Sequence, residues 1–176
     1  MAGIKYLNEL GENLQKIIKR LMANQTLVKY LYYTDKDPLD NPDWTDDEIR
    51  HKVYQKLIKI VPKLDNEEKA NSVIALKVIN GVKNPENQEF KNLSLGIEVF
   101  VPLSQWILKS DNLRPFLIMG EIQKSLEGKT INGLGRIEGG DFQSNFNTEE
   151  ISAFEMFFDI ITYDWFKWFF SNSIFL

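Results

Sequence analysis

Leu7, Leu10, Leu14, Ile17, Ile18 and Leu21 recur at helical spacing, which predicts an amphipathic helix over 4–22. Asn24 is placed to cap a second helix, 25–33, carrying Leu27, Val28 and Leu31 with three tyrosines. The segment DKDPLDNPDW reads as an exposed, turn-rich loop. Thr45 and Glu48 then fit a capping box, with Asp46 and Asp47 favourable at a helix N-terminus. Beyond Val53 two patterns compete. Leu57, Ile60 and Val61 continue a helical face, whereas Ile58 and Ile60 between lysines suit a strand running to Pro62. The reading taken is helix 46–55 and strand 57–62.

SVIALKVIN, residues 72–80, is rich in strand formers. After a polar connection, Leu93, Leu95, Ile97, Val99 and Val101 alternate with Asn92, Ser94, Gly96, Glu98 and Phe100. This is the clearest strand signal in the chain, and the two runs predict a hairpin with a long tip, 81–90. Asp111 or Asn112 is positioned to cap a helix with Pro115 in its first turn and Leu113, Phe116, Met119, Ile122 and Leu126 on its apolar face. Gly128 ends that helix. The Gly-rich stretch INGLGRIEGGDF holds a short strand near 134–138, and a last strand spans 150–163. Few helices around a strand-rich middle predict an α+β fold: an antiparallel β-sheet with a long hairpin, packed against a few α-helices.

The 176 residues suit a single domain, 1–163, with an acidic loop at 35–47 inside it and an aromatic arm, 164–176, after it. There is no Cys and a single His. That excludes disulfides, Cys-ligated metals and thiol nucleophiles, and it removes most His-based catalysis. A net charge of −4, with lysines far outnumbering four arginines, is a poor match to a nucleic-acid-binding face. The N-terminus carries Glu9 and Glu12 and lacks the apolar run of a signal peptide, and no segment is long and apolar enough for a transmembrane helix. The expectation is a soluble protein made in a reducing compartment.

Candidate chemistry is sparse. Counted from Asp35, the Gly and Glu positions of an EF-hand loop hold Asp40 and Asp46, so the calcium pattern fails. Gly133 and Gly135 make a GxG, but Glu138 occupies the third glycine position and a helix precedes rather than follows. Positive-φ turns and a β-bulge explain these glycines better. His51 has no nucleophile or orienting carboxylate in view, and Glu149 and Glu150 read as the charged end of a β-turn. No catalytic residue, metal site or cofactor is expected, and the protein is read as a non-enzyme.

The arm stands out. Of 12 Phe, 6 Tyr and 4 Trp, ten fall in the last 23 residues. Trp165, Phe166, Trp168, Phe169 and Phe170, followed by Ile174 and Phe175, are the candidate partner-interface residues. Three readings stand: a docking arm for a neighbouring subunit or partner, a cap folded back on the core, and an interfacial membrane anchor. The anchor lacks the usual assisting basic residues.

The order of elements resembles the tail-terminator and tail-to-head joining proteins of tailed bacteriophages. An N-terminal helix is followed by a hairpin whose second strand is SLGIEVFVP, then the helix LRPFLIMGEIQKSLEGK, then GLGRIEGGDF and ISAFEMFFDIITYD. The resemblance covers about residues 4–163. It implies a structural virion protein, assembled in the host cytoplasm: a homo-oligomeric ring, usually a hexamer, at the neck. Such a ring terminates the tail tube and joins tail to head, meeting tail-tube, tail-sheath or head-completion proteins. The hairpin tip would project into a neighbour or the channel, and DNA would pass through an acidic channel without sequence-specific binding. The alternative is a cytosolic, non-enzymatic interaction or ligand-binding module of the same α+β fold.

Overall fold

The computed structural model describes residues 6–60, 70–85 and 88–161. A 3-10 turn, Leu7–Glu9, leads into α1, Leu10–Met22, where Leu14, Ile17, Ile18 and Leu21 are buried on one stripe. Asn24 caps α2, Gln25–Tyr32, its side-chain oxygen accepting from the Leu27 N–H at 3.0 Å. The capping box forms at α3, Asp46–Lys52: Thr45 N–H donates to Glu48 Oε2 at 2.9 Å and Glu48 N–H donates back to Thr45 Oγ1 at 3.4 Å. This helix stops short of residue 55, because Gln55 takes a left-handed conformation (φ 58°) that turns the chain out of the helix. The following strand β1 is also shorter than expected within the described residues, Ile58–Lys59, and it pairs parallel with the next.

β2, Val73–Lys83, and β3, Lys91–Pro102, form the antiparallel hairpin. Its ladder continues to Lys83 opposite Lys91, so residues 81–83, expected in the tip, belong to the strand. A register shift between Val78 and Asn80 absorbs one extra residue and lets pairing resume beyond it. Helix α4, Arg114–Leu126, has Pro115 in its first turn, but neither Asp111 nor Asn112 caps it. Asp111 is itself left-handed (φ 60°), and Leu113 occupies the N-cap without a side-chain bond. Gly128 (φ 69°) ends the helix as expected.

After β4, Thr130–Ile131, strand β5 runs Gly135–Asn147. It is far longer than the short strand expected at 134–138. Gly139 and Gly140 have φ of 115° and 108°, and they form a bulge inside the strand rather than a turn that ends it. A Cβ at Gly139 would stand 2.7 Å from the Phe157 carbonyl oxygen of the adjacent strand, so only glycine lets the ladder pass. β6, Ile151–Ile161, pairs with β5 and β3. The expected turn around Glu149 and Glu150 joins β5 to β6, with Thr148 Oγ1 accepting from the Glu150 and Ile151 N–H groups.

The sheet has the order β1-β2-β3-β6-β5-β4 and curls into a half-barrel, giving the α+β architecture expected. Register places Ile74, Leu76, Ile97, Val99, Phe154, Met156 and Phe158 on one face. That face joins Ile118 and Ile122 of α4 and the stripe of α1 in one apolar core. The opposite face of β3 is not the solvated one its alternation suggests: Glu98 and Phe100 are buried as well.

Candidate interaction surface

The arm residues Trp165, Phe166, Trp168, Phe169, Phe170, Ile174 and Phe175 lie outside the described residues. His51 is on the surface of α3, its Nδ1 2.8 Å from the Asp47 carbonyl oxygen. The acidic loop is pinned locally. Asp43 meets Lys29 Nζ at 2.7 Å, Asp37 meets Lys109 Nζ at 3.1 Å, and Asp35 accepts from the Asp37 N–H and the Asn41 amide.

What holds the loop most firmly is a residue that its sequence context does not single out. Arg114, fully buried at the start of α4, donates to four backbone carbonyls: Gln105 at 3.0 Å, Tyr30 at 2.9 Å, Tyr33 at 2.6 Å, and Asp35. Burial lowers its pKa from the ordinary arginine value, with the nearby Asp35 and Tyr30 opposing. It ties the end of α2, the loop and the turn before α4 into one body.

On the sheet face away from the helices, Lys77 Nζ lies 2.8 Å from Glu98 Oε1 and 2.9 Å from Glu155 Oε1. Asn145 Nδ2 donates to the same Glu98 oxygen at 3.2 Å. Gly96 makes this possible, because a Cβ there would stand 2.9 Å from both Glu155 Oε1 and Lys77 Cε. Burial pulls the Lys77 ammonium down, but hydrogen bonds and charge from both glutamates together outweigh it and leave the pKa raised. Three charges with satisfied partners make this a structural cluster.

The two ends of the sheet are different in kind. β1 covers β2 only at Ile74 and Ala75. From Leu76 to Lys83, β2 has no partner on that side among the described residues. At the other end, β4 covers β5 only at Gly135 and Arg136, with Ile137 bonded to Gly128 and Lys129. From Glu138 to Asn147 the outer side of β5 has no strand partner among the described residues. Each open stretch contains five consecutive exposed residues, Ile79–Lys83 and Asp141–Asn145. Exposure on both faces of a strand marks an edge standing clear of the core.

Beside the β5 edge lies an aromatic cluster. Phe142 of β5 packs 6.1 Å (centroid to centroid) from Phe116 of α4 and 6.4 Å from Phe154, and Trp106 packs 6.1 Å from Phe154 on the other side. Phe142 is 54% exposed and Phe116 44%. Ile79 and Val82 are the exposed apolar residues at the β2 end. No signal in the sequence marked either edge, because exposure of an edge depends on which strands become neighbours.

Among the described residues no group of three or more His, Asp or Glu side chains is arranged to hold a metal ion, and no helix is long and apolar enough to cross a membrane. No curated protein matches the chain. A family model, YomW, matches residues 24–160, from the cap of α2 almost to the end of β6. The chain therefore belongs to the YomW family, which is phage-derived (SPBc2 prophage-like) and points to a phage protein.

Proposed function

Given membership of this phage-derived family, we propose that the protein is a non-enzymatic structural subunit of the phage virion. It forms a ring, of about six copies, at the neck that terminates the tail tube and joins tail to head. The observation that carries this reading is the sheet with two edges open among the described residues, at opposite ends, β2 beyond Ala75 and β5 beyond Ile137. Two different surfaces on one subunit make heterologous contacts, which close into rings when the rotation allows. The YomW match supports the phage origin, and the order of elements supports the neck.

Within this reading the arm, Trp165 to Phe175, docks on an adjacent protein above or below the ring. DNA passes through the ring without sequence-specific contacts. Size-exclusion chromatography with light scattering, followed by electron microscopy of the peak, tests the proposal. A closed ring of about six copies is expected; a monomer at every concentration up to about 100 µM overturns it.

A further inference from the structure

Taking the ring reading as its basis, we propose that neighbouring copies join by β-augmentation. The part of β5 without a strand partner among the described residues pairs antiparallel, in one copy, with the corresponding part of β2 in the next. The occupant of each edge is thus a second copy of this chain.

Direction comes first. β2, β3, β6 and β5 are each antiparallel to the next, so β2 and β5 run in opposite senses. A neighbour in the same orientation therefore presents its β2 antiparallel to this β5, and the alternation continues across the junction.

Register is then narrowly set. β4 and the Gly128–Lys129 backbone stop pairing at the start of β5, and β1 stops it at the start of β2. Full use of both open halves requires a stagger along the strands, as tilted strands in a closed ring provide. Directly opposed residues must point to the same face, which admits only even shifts of register. Between its two irregularities, at Gly139/Asp141 and Ser144/Phe146, β5 is regular over Asp141–Ser144. β2 is regular over Asn80–Lys83, beyond its own irregularity at Val78/Asn80. The even shift that joins these stretches sets Asp141 opposite Val82, Phe142 opposite Gly81 and Gln143 opposite Asn80.

The chemistry of that pairing is complementary. Phe142, on the helix side, covers the bare backbone of Gly81, the arrangement by which an aromatic ring compensates an edge glycine. Asn80 and Gln143 bring two side-chain amides together on the other face. The bulges flanking Asp141–Ser144 hold the junction to a few pairs, which suits a closing ring better than an open-ended sheet.

The absence of cysteine makes the test clean. Within one copy, positions 80 and 143 lie three strands apart, roughly 14 Å across the sheet, and are also offset by several residues along it, too far for a disulfide, so any bond between them joins two copies. Under mild oxidation the variant carrying Asn80→Cys and Gln143→Cys is expected to give a covalent ladder reaching the ring size, whereas either single variant gives nothing beyond a dimer. Phe142→Asp is expected to raise the concentration needed for assembly at least tenfold. Rings that assemble without cross-linking, or a double-variant ladder that stops at the dimer, overturn this interface while leaving the ring reading intact. A chain that stays monomeric overturns both.

Discussion

Arg114 Nη1 donates to the Tyr33 carbonyl oxygen at 2.6 Å, joining positions 81 residues apart. With the Tyr30, Gln105 and Asp35 carbonyls, the guanidinium satisfies the end of α2 and the loops on either side. Replacement by Leu keeps the volume but leaves those acceptors buried without a donor. Arg114→Leu is expected to lower stability by at least about 3 kcal/mol, read from the urea midpoint. Arg114→Lys recovers only part of it, because a single ammonium cannot reproduce the planar fork.

Lys77 makes stability depend on alkaline pH. Its pKa is raised in the folded state above the ordinary 10.5, because the hydrogen bonds and charge of Glu98 and Glu155 together overcome burial. The stability it contributes is therefore fully present below the unfolded value and lost as pH rises through the higher folded value. Urea midpoints of the wild type should hold from pH 7 to 9 and fall above 10.5. Lys77→Met leaves two buried carboxylates facing each other and costs about 3–5 kcal/mol at pH 7. Adding Glu98→Gln and Glu155→Gln should return most of that loss.

Two glycines with positive φ should respond differently to alanine. At Gly139 the new Cβ meets the Phe157 carbonyl oxygen at 2.7 Å, and backbone cannot swing aside. At Gly128 the space is open, and the cost is the left-handed conformation alone. Gly128→Ala is expected to cost about 1 kcal/mol and Gly139→Ala at least about 2 kcal/mol, with matched denaturation curves as the check.

Deleting residues 165–176 separates docking from folding. If the arm serves a neighbour, the truncated chain keeps its urea midpoint within about 0.5 kcal/mol and fails to assemble with its partner proteins. A truncated chain that assembles normally argues against the arm, and one that loses its fold shows the arm caps the core.

Acid should weaken the α2–α4 contact. Burial pushes the Glu121 carboxyl up, but hydrogen bonds from Lys124 and Asn24 outweigh it and leave the pKa lowered. That stability is present above the ordinary carboxylate value near 4.5 and is lost as pH falls through the lower folded value. Glu121→Gln should flatten the acid limb of the stability profile between about pH 5 and 3.

The sequence by itself determined the local elements. Helical spacing of Leu14, Ile17, Ile18 and Leu21, the Asn24 cap, the Thr45–Glu48 box and the alternation in β3 are each written within a few residues. Their energetics are local, so they are legible without knowing what lies opposite. The α+β class followed from their order. Tertiary structure decided everything that depends on neighbours distant along the chain. Gly139 and Gly140 look like a turn until β6 lies alongside and pairing carries β5 on to Asn147. Glu98 looks solvated until Lys77, Asn145 and Glu155 close around it. Arg114 looks like any helix-start arginine until four carbonyls converge on it. The stretches of β2 and β5 left open among the described residues follow from strand order and from how little of each β1 and β4 cover. That order is fixed by the packing of the whole sheet, and no single stretch of sequence encodes it.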